Sequence, residues 1–207
     1  MAELPHMTDE EKYLFDLQGF ILVKGVLGAE TLKQLHASME EHGIQKPDNH
    51  PNKSRFSNFL SWGEEWCQLV DHPRILPFLN DLIGAKFRLD HAYGMAARSG
   101  GEEGGFGLHH HAGMFNHACY YMTHGQTMHN GLMVVSYALV DMPAGGGGFC
   151  CVPGSHKALF PTPKQYYSTE NNPLLVQVPM QAGDVVIFSE ALTHGTMKWT
   201  NAHERRS

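Results

Sequence analysis

The chain has 207 residues, of which 42% are apolar and 17% are charged, a composition that supports a folded core and excludes an intrinsically disordered protein. Its formal net charge is −6 with the histidines neutral, which argues against a nucleic-acid ligand or an anionic membrane. No apolar run has the length of a membrane span, and the N-terminal residues lack the basic and apolar regions of a secretion signal, so we expect a cytoplasmic protein.

The first third of the chain is predicted to be helical. Thr8 and Glu11 form a capping-box pattern that begins one helix, and Gly19 ends it. Apolar residues at helical spacing predict two further helices. A short apolar run after the first helix predicts a strand, and a polar stretch after the second helix predicts a loop. The predicted ranges are Ala29–His42 and Pro73–Ile83 for the helices, Phe20–Val23 for the strand and Lys46–Arg55 for the loop.

The remainder of the chain is predicted to form strands. Alternating or continuous apolar runs, bounded by glycine-rich turns, mark Phe87–Met95, Leu132–Val140, Phe149–Val152, Leu174–Val178 and Asp184–Phe188. Helices first and strands later predict an α+β, mainly β fold. We expect a single domain over 1–207, in which a jelly roll (a double-stranded β-helix) over 86–207 carries the helices of 8–84 on its outside.

The four cysteines contain no Cys-x-x-Cys pair, so a zinc ribbon or a thioredoxin-type site is not supported. Buried free thiols in a reducing compartment are the expectation for Cys67, Cys119, Cys150 and Cys151. The fifteen histidines, by contrast, offer many possible metal ligands.

Three segments carry residue types that suit a metal ion and an acidic ligand. In the run His109-His110-His111, residues two apart share one face of a strand, so His109 and His111 can hold one ion while His110 points away; a surface histidine run is the alternative. His194 follows an apolar strand and is either a ligand on a rigid scaffold or an ordinary half-buried histidine. Arg205, eleven residues later, can hold a carboxylate through two parallel hydrogen bonds. Its neighbour Arg206 is predicted to be a solvated surface residue.

Beyond these residues, the chain resembles the phytanoyl-CoA dioxygenase family of 2-oxoglutarate oxygenases from about Gly19 to its end. The resemblance is carried by Gly-Gly-Phe-Cys-Cys-Val-Pro-Gly-Ser-His-Lys at 147–157 and by Gly-Asp-Val-Val-Ile-Phe at 183–188, which leads into His194-Gly195. The 85 positions from His109 to His194 fit the spacing of the two histidine ligands in that family. Within the first stretch, His156 is interpreted as a structural residue.

The resemblance implies Fe(II) and 2-oxoglutarate as cofactors, with molecular oxygen and a small organic molecule as substrates. It implies a metal site at His109, His111 and His194, and cosubstrate contacts from Arg205 and Ser207, with Tyr137 as an aromatic neighbour. The expected reaction is hydroxylation with release of succinate and CO2, and the negative net charge does not favour a CoA ester. Because the strand that carries this arginine continues in relatives, the resemblance also suggests that the last strand is truncated here.

The family's first metal motif, His-x-Asp or His-x-Glu, is absent from the sequence. One interpretation is a three-histidine site that includes His109 and His111. Another takes His110 as the first ligand, which leaves Ala112 at the acidic position, as in related halogenases that bind chloride there. A third leaves only His109 and His194, a weak or inactive site.

Leu108 favours His109 as the first ligand, because relatives often have an apolar residue before it. Asp90 could supply a carboxylate, although nothing in its spacing supports this. The sequence thus leaves open a hydroxylase, a halogenase, a three-histidine dioxygenase that needs no keto acid, and an inactive binding module.

Overall fold

The structure is a computed structural model that describes residues 5–44, 53–99, 107–110 and 113–207. Its helices are α1 (Asp9–Gln18), α2 (Ala29–Glu41), α3 (Glu64–Cys67) and α4 (Leu76–Leu82). Its strands are β1 (Phe20–Val23), β2 (Lys53–Phe56), β3 (Gly94–Ala97), β4 (Tyr121–His124), β5 (Thr127–Asn130), β6 (Met133–Tyr137), β7 (Gly148–Cys151), β8 (Val176–Gln177), β9 (Val185–Ser189), β10 (His194–Met197) and β11 (Arg205–Arg206). No helix in the described ranges is both long and apolar enough to cross a membrane.

All paired strands run antiparallel, in the orders β1-β9-β6, β10-β7-β8 and β11-β3-β2, with a separate hairpin β4-β5. The Leu139 amide donates to the Arg206 carbonyl at 3.0 Å, which joins β11 to the end of β6. The sheet of β1, β9 and β6 packs against the sheet of β10, β7 and β8 through one shared apolar cluster. The fold is therefore α+β and mainly β, a jelly roll with N-terminal helices outside it, as predicted.

Side chains of β9 alternate between two cores. Val185 and Ile187 pack with the helices in one cluster, whereas Val186 and Phe188 belong to the cluster between the two sheets. All four side chains are buried, so both faces of β9 are covered. This explains why the segment is a continuous apolar run without polar alternation.

The start and end of α1 agree with the sequence. Thr8 and Glu11 form the capping box, and Gly19 ends the helix in the left-handed region at φ 83°. A Cβ at Gly19 would lie 2.4 Å from Nδ1 of His156, which is 5% exposed and packs against Tyr121 with ring centroids 4.5 Å apart. This close packing supports the structural role expected of His156.

The Gly183-Asp184 pair ties the turn before α2 to the start of β9. Gly183 has φ 91°, and a Cβ there would lie 2.3 Å from the carbonyl oxygen of Leu27. The Asp184 carboxylate accepts hydrogen bonds from the backbone amides of Gly25 and Gln181, each at 2.8 Å, and from Nζ of Lys24 at 2.9 Å.

Some predicted element bounds were wrong. In place of the expected strand Phe87–Met95, the strand is Gly94–Ala97, the residues that pair with β2. The helix predicted to begin at Pro73 is α4, which begins at Leu76 instead. Pro77 lies in its first turn, where a residue without an N–H is tolerated. The predicted loop Lys46–Arg55 gives way to β2 at Lys53; residues 46–52 lie outside the described ranges.

Candidate metal and cosubstrate site

His109 and His194 lie directly opposite each other in an antiparallel bridge. Each backbone amide donates to the carbonyl of the other residue at 2.9 Å, and the ring centroids are 4.4 Å apart. The two predicted ligands, 85 positions apart in the chain, are thus adjacent in the fold. The backbone bridge fixes their relative position without help from any bound ion.

The tautomer of both rings follows from their hydrogen bonds. Nδ1 of His109 lies 2.9 Å from the Gly107 carbonyl oxygen, and Nδ1 of His194 lies 2.6 Å from the Leu192 carbonyl oxygen. A carbonyl can only accept, so both Nδ1 atoms carry the proton. Both Nε2 atoms therefore present a lone pair, which is the arrangement that metal-binding histidines adopt.

His194 sits in an apolar environment. It is 5% exposed, and its ring lies 4.6 Å from that of Phe188 and 6.3 Å from that of Phe149. Burial, with the nearby His109, lowers the pKa of His194 to about 4. The imidazole is therefore neutral at physiological pH and able to act as a ligand.

Sequence reasoning missed Glu190, a carboxylate beside this pair. Its Oε1 lies 3.9 Å from Nε2 of His194, and its side chain is 17% exposed. Burial raises the pKa of Glu190, against the opposing charges of His109 and His91. A detectable signal existed, because Glu190 stands four residues before His194 in the segment that carries the family resemblance.

His110, the residue after His109, contacts a different part of the fold. The His110 ring stacks on Tyr167 with centroids 6.0 Å apart, and its Nδ1 lies 3.2 Å from the tyrosine hydroxyl. His111 lies outside the described residues, so its predicted role is untested. Within the described ranges, no three His, Cys, Asp or Glu side chains are already arranged to hold a metal ion.

Arg205 is a buried cation in β11. It is 5% exposed, and its Nε has no hydrogen-bond partner. Burial lowers the pKa of Arg205 to about 10, against the opposing influence of Tyr93 and Cys150, so the guanidinium stays charged at neutral pH. A buried charge with an unused donor is a site prepared for an anion.

The direction of Arg205 follows from its neighbour. Arg206 points toward α2, where its guanidinium lies 3.0 Å from Nδ1 of His36 and 3.7 Å from the Glu40 carboxylate. Successive side chains leave a strand on opposite faces, so Arg205 and Ser207 point to the interior of the jelly roll. The prediction that Arg206 is a solvated surface residue was wrong, because this network holds it partly buried.

The structure does not place Tyr137 with the histidines. Its ring packs in the cluster with the helices, and its hydroxyl donates to the Leu69 carbonyl at 2.7 Å. Its neighbour Val134, three positions earlier in β6, belongs to the cluster between the sheets instead. The assignment of Tyr137 to the cosubstrate is therefore corrected, because its face of β6 was misjudged. Asp90, the other carboxylate considered, contacts His91 and Arg88.

A pocket of about 200 Å³ adjoins the histidine pair along the chain. It is lined by His110, Ser155, Thr193 and the segment 158–162. Leu159 and Phe160 in that segment are 89% and 78% exposed, and they form an apolar rim. Thr193 and His110 directly precede and follow His194 and His109 in the chain, so the pocket lies next to the strand ends that carry the histidine pair.

These residues fit the metal and cosubstrate that the sequence predicts. Two imidazoles that present their Nε2 atoms suit Fe(II), and a buried guanidinium suits the carboxylate of a keto acid. The fit rests on hydrogen bonds and burial within the chain itself.

Comparisons with known proteins agree with this geometry. The family described as Phytanoyl-CoA dioxygenase (PhyH) matches residues 15–207. A comparison with curated protein sequences gives no match.

Several solved structures share the fold. HygX from Streptomyces hygroscopicus, crystallised with nickel and 2-oxoglutarate, superposes with a TM-score of 0.83 at 24% identity over 97% of this chain and 84% of its own. The epimerase SnoN from nogalamycin biosynthesis gives a TM-score of 0.68 at 21% identity, over 96% of this chain and 79% of its own. AviO1 from Streptomyces viridochromogenes Tue57 gives 0.67 at 18% identity, over 100% of this chain and 93% of its own.

At these identities the structural likeness establishes the jelly-roll fold, and the family match covers nearly the whole sequence. The chain belongs to the phytanoyl-CoA dioxygenase family and is an oxygenase that depends on iron and 2-oxoglutarate.

Proposed function

We propose that the protein hydroxylates a small organic molecule, consuming oxygen and 2-oxoglutarate and releasing succinate and CO2. The observation that carries this proposal is the pair His109 and His194, whose Nε2 lone pairs are both free, in the same fold as the buried cation Arg205. When bound, iron supplies the oxidative chemistry, and the protein supplies position and an environment without water.

His109 and His194 are the proposed iron ligands. Their Nδ1–H groups are anchored on backbone carbonyls, so neither ring is free to turn its Nε2 away. The predicted third ligand, His111, remains a prediction. Phe149 and Phe188 exclude water on one side of His194, which strengthens electrostatic interactions there.

Arg205 is the proposed partner of the far carboxylate of 2-oxoglutarate. Because the guanidinium is buried, water solvates it poorly. A bound anion would compensate for this lost solvation, so the site should bind a carboxylate strongly. Ser207 leaves the strand on the same face, and its backbone pairs with Met95 through hydrogen bonds of 2.7 and 3.0 Å. This pairing fixes the position from which its hydroxyl would assist Arg205.

The pocket beside His110 and Thr193 supports a small organic substrate rather than a macromolecule. Its rim combines imidazole and hydroxyl groups with the exposed Leu159 and Phe160, which suits a substrate with both polar and apolar parts. Two structural neighbours were crystallised with such molecules, hygromycin B in HygX and nogalamycin RO in SnoN. A net charge of −6 gives no basic surface for the phosphates of a CoA ester.

The visible absorption spectrum of the apo-protein, titrated with Fe(II) and 2-oxoglutarate without oxygen, tests this proposal. We expect a weak charge-transfer band that requires both additions, because it reports 2-oxoglutarate chelated to protein-bound iron. His194→Ala should abolish the band. Arg88→Ala, a change at a side chain that is 83% exposed, is the control and should leave it intact.

Admission of oxygen should then produce succinate in proportion to the 2-oxoglutarate consumed. A folded protein that binds iron yet gives neither the band nor succinate would contradict the proposal. Halide-dependent turnover would instead indicate a halogenase on the same fold.

A further inference from the structure

We propose that Glu190 supplies the carboxylate ligand of the metal ion, in place of the acidic residue that a His-x-Asp motif would provide; this rests on the proposed iron site at His109 and His194. The ligand set would again contain two imidazoles and one carboxylate. The carboxylate would come from the segment before the second histidine, and not from the segment after the first.

The distance between the candidate ligand atoms supports the assignment. Oε1 of Glu190 lies 3.9 Å from Nε2 of His194. Bonds from divalent metals to imidazole nitrogen or carboxylate oxygen are about 2.1 Å long, so two ligands of one ion lie at most about 4.2 Å apart. The observed separation falls below that limit, and rotation about the flexible Glu190 side chain shortens it further.

The hydrogen bond made by His194 shows which of its ring nitrogens is available to a metal ion. Its Nδ1 proton is given to the Leu192 carbonyl, so the neutral ring has a lone pair at the Nε2 that faces Glu190. Nε2 of His194 and Oε1 of Glu190 therefore face each other in a largely buried space, with a separation that a bound cation can bridge.

The backbone holds both residues firmly. The Glu190 amide donates to the Leu132 carbonyl at 3.0 Å, and the Leu192 amide donates to the Ser189 carbonyl at 2.9 Å. The turn between β9 and β10 is therefore attached to the start of β6 and closed on itself. Glu190 and His194 project from the two ends of this turn, and the His109 bridge adds the third ligand on the other side.

Three other carboxylates in the described ranges are occupied elsewhere. Asp90 pairs with His91 and Arg88, and Asp184 is held by Lys24 and two backbone amides. Glu204 pairs with Arg98 and Arg206. Within these ranges, the Glu190 carboxylate instead lies beside Nε2 of His194 itself.

Co(II) affinity of the apo-protein, followed by visible d–d absorption and by competition with a chromophoric chelator, tests the assignment without any turnover. We expect Glu190→Gln to weaken Co(II) and Fe(II) binding by about 10–100-fold, because it removes a charged ligand without changing its shape. Glu190→Asp keeps the charge on a shorter side chain, so its metal affinity should lie between those of wild type and Glu190→Gln. Glu170→Gln, at an exposed glutamate, is the matched control and should bind as wild type does.

Rescue separates a ligand from a structural residue. In Glu190→Ala, added formate should restore metal affinity, because it can occupy the vacated position. Circular dichroism of each apo variant establishes that it is folded. A folded Glu190→Gln that binds Co(II) like wild type overturns the proposal, and so does a loss of affinity in His111→Ala without one in Glu190→Gln.

The two proposals fail in different ways. A wild-type protein that binds neither Co(II) nor Fe(II) refutes the iron site itself. A wild-type protein that binds metal and shows the 2-oxoglutarate band, together with an unaffected Glu190→Gln, refutes only the role of Glu190.

Discussion

Neighbouring histidines have different environments in this fold. His109 bridges to His194, whereas His110 stacks on Tyr167 and lines the pocket. A proposed metal ligand and a proposed substrate contact are therefore adjacent in the chain. Their surroundings differ because adjacent side chains on extended backbone point in opposite directions.

Alanine substitution at each position distinguishes these roles. His109→Ala should lower Fe(II) affinity by about 100-fold or more, because it removes a direct ligand. His110→Ala should leave Fe(II) affinity within about threefold of wild type and act on the KM for the organic substrate. Isothermal titration of the anaerobic apo-proteins measures the difference, and equal losses in both variants would contradict the assignment.

Residue roles were predictable where sequence order and local chemistry agree. Leu108 before His109, and a histidine after an apolar strand, identified the bridged pair correctly as neighbours. Glu190 was missed although it stands four residues before His194, because the residue types alone do not show that the turn between them brings its carboxylate to the His194 ring. Tyr137 was misassigned because its strand lies in a nearly continuous apolar run with residues packed into both clusters, so hydrophobicity gives no indication of which face is which.

At the scale of elements, Asp184 joins two segments that are distant in sequence. Burial alone raises the pKa of its carboxyl, but hydrogen bonds from Gln181, Gly25 and Lys24 outweigh this and leave the pKa lowered. A carboxyl with a lowered folded-state pKa stabilises the fold at pH values above its unfolded pKa of about 3.9. That contribution is lost as pH falls through the lower, folded pKa.

Replacement of this carboxylate should therefore have a pH-dependent effect. Asp184→Asn should reduce the free energy of unfolding at pH 7 by about 2–4 kcal/mol, because it weakens several charge-assisted hydrogen bonds. The deficit should begin to shrink below about pH 4, where the carboxyl of the unfolded wild-type chain takes up a proton, and it should disappear as pH falls through the lower pKa of the folded state. Urea denaturation between pH 3 and pH 7 measures this, with Asp90→Asn as a half-exposed control. A deficit that does not change with pH would contradict the linkage.

Strands with continuous apolar runs were predictable, and exposed ones were not. β6, β7 and β9 lie within or overlap their predicted segments, because their continuous apolar runs leave a clear pattern. The hairpin β4-β5 was missed because its strands carry polar and largely exposed side chains, including His124 and His129. Its stability comes from packing against α4 and the turn 155–157, which the local sequence does not reveal.

At the scale of the whole molecule, ligands that bind only the folded state should raise its stability. Fe(II) and 2-oxoglutarate bind at proposed sites that exist only when β3, β10 and β11 are assembled. At a ligand concentration about 100 times Kd, the gain is about 2.7 kcal/mol. We expect a clear rise in Tm on adding Fe(II) anaerobically, and a second rise on adding 2-oxoglutarate.

A substitution at Arg205 should remove one of these two increments. Arg205→Leu should keep the rise with Fe(II) and lose the rise with 2-oxoglutarate, because it removes the carboxylate partner without leaving a charge buried. Differential scanning fluorimetry resolves both steps. A full second increment in Arg205→Leu would show that the far carboxylate binds elsewhere.

The bridge between His109 and His194 has a consequence for how the site forms. Each ligand residue uses its own amide hydrogen to hold the other, so neither amide is open to solvent while the bridge persists. Hydrogen–deuterium exchange at these two positions should be slow before any metal is added, and it should change little afterwards. The histidine half of the centre is then built during folding, and metal capture requires little rearrangement beyond the carboxylate side chain.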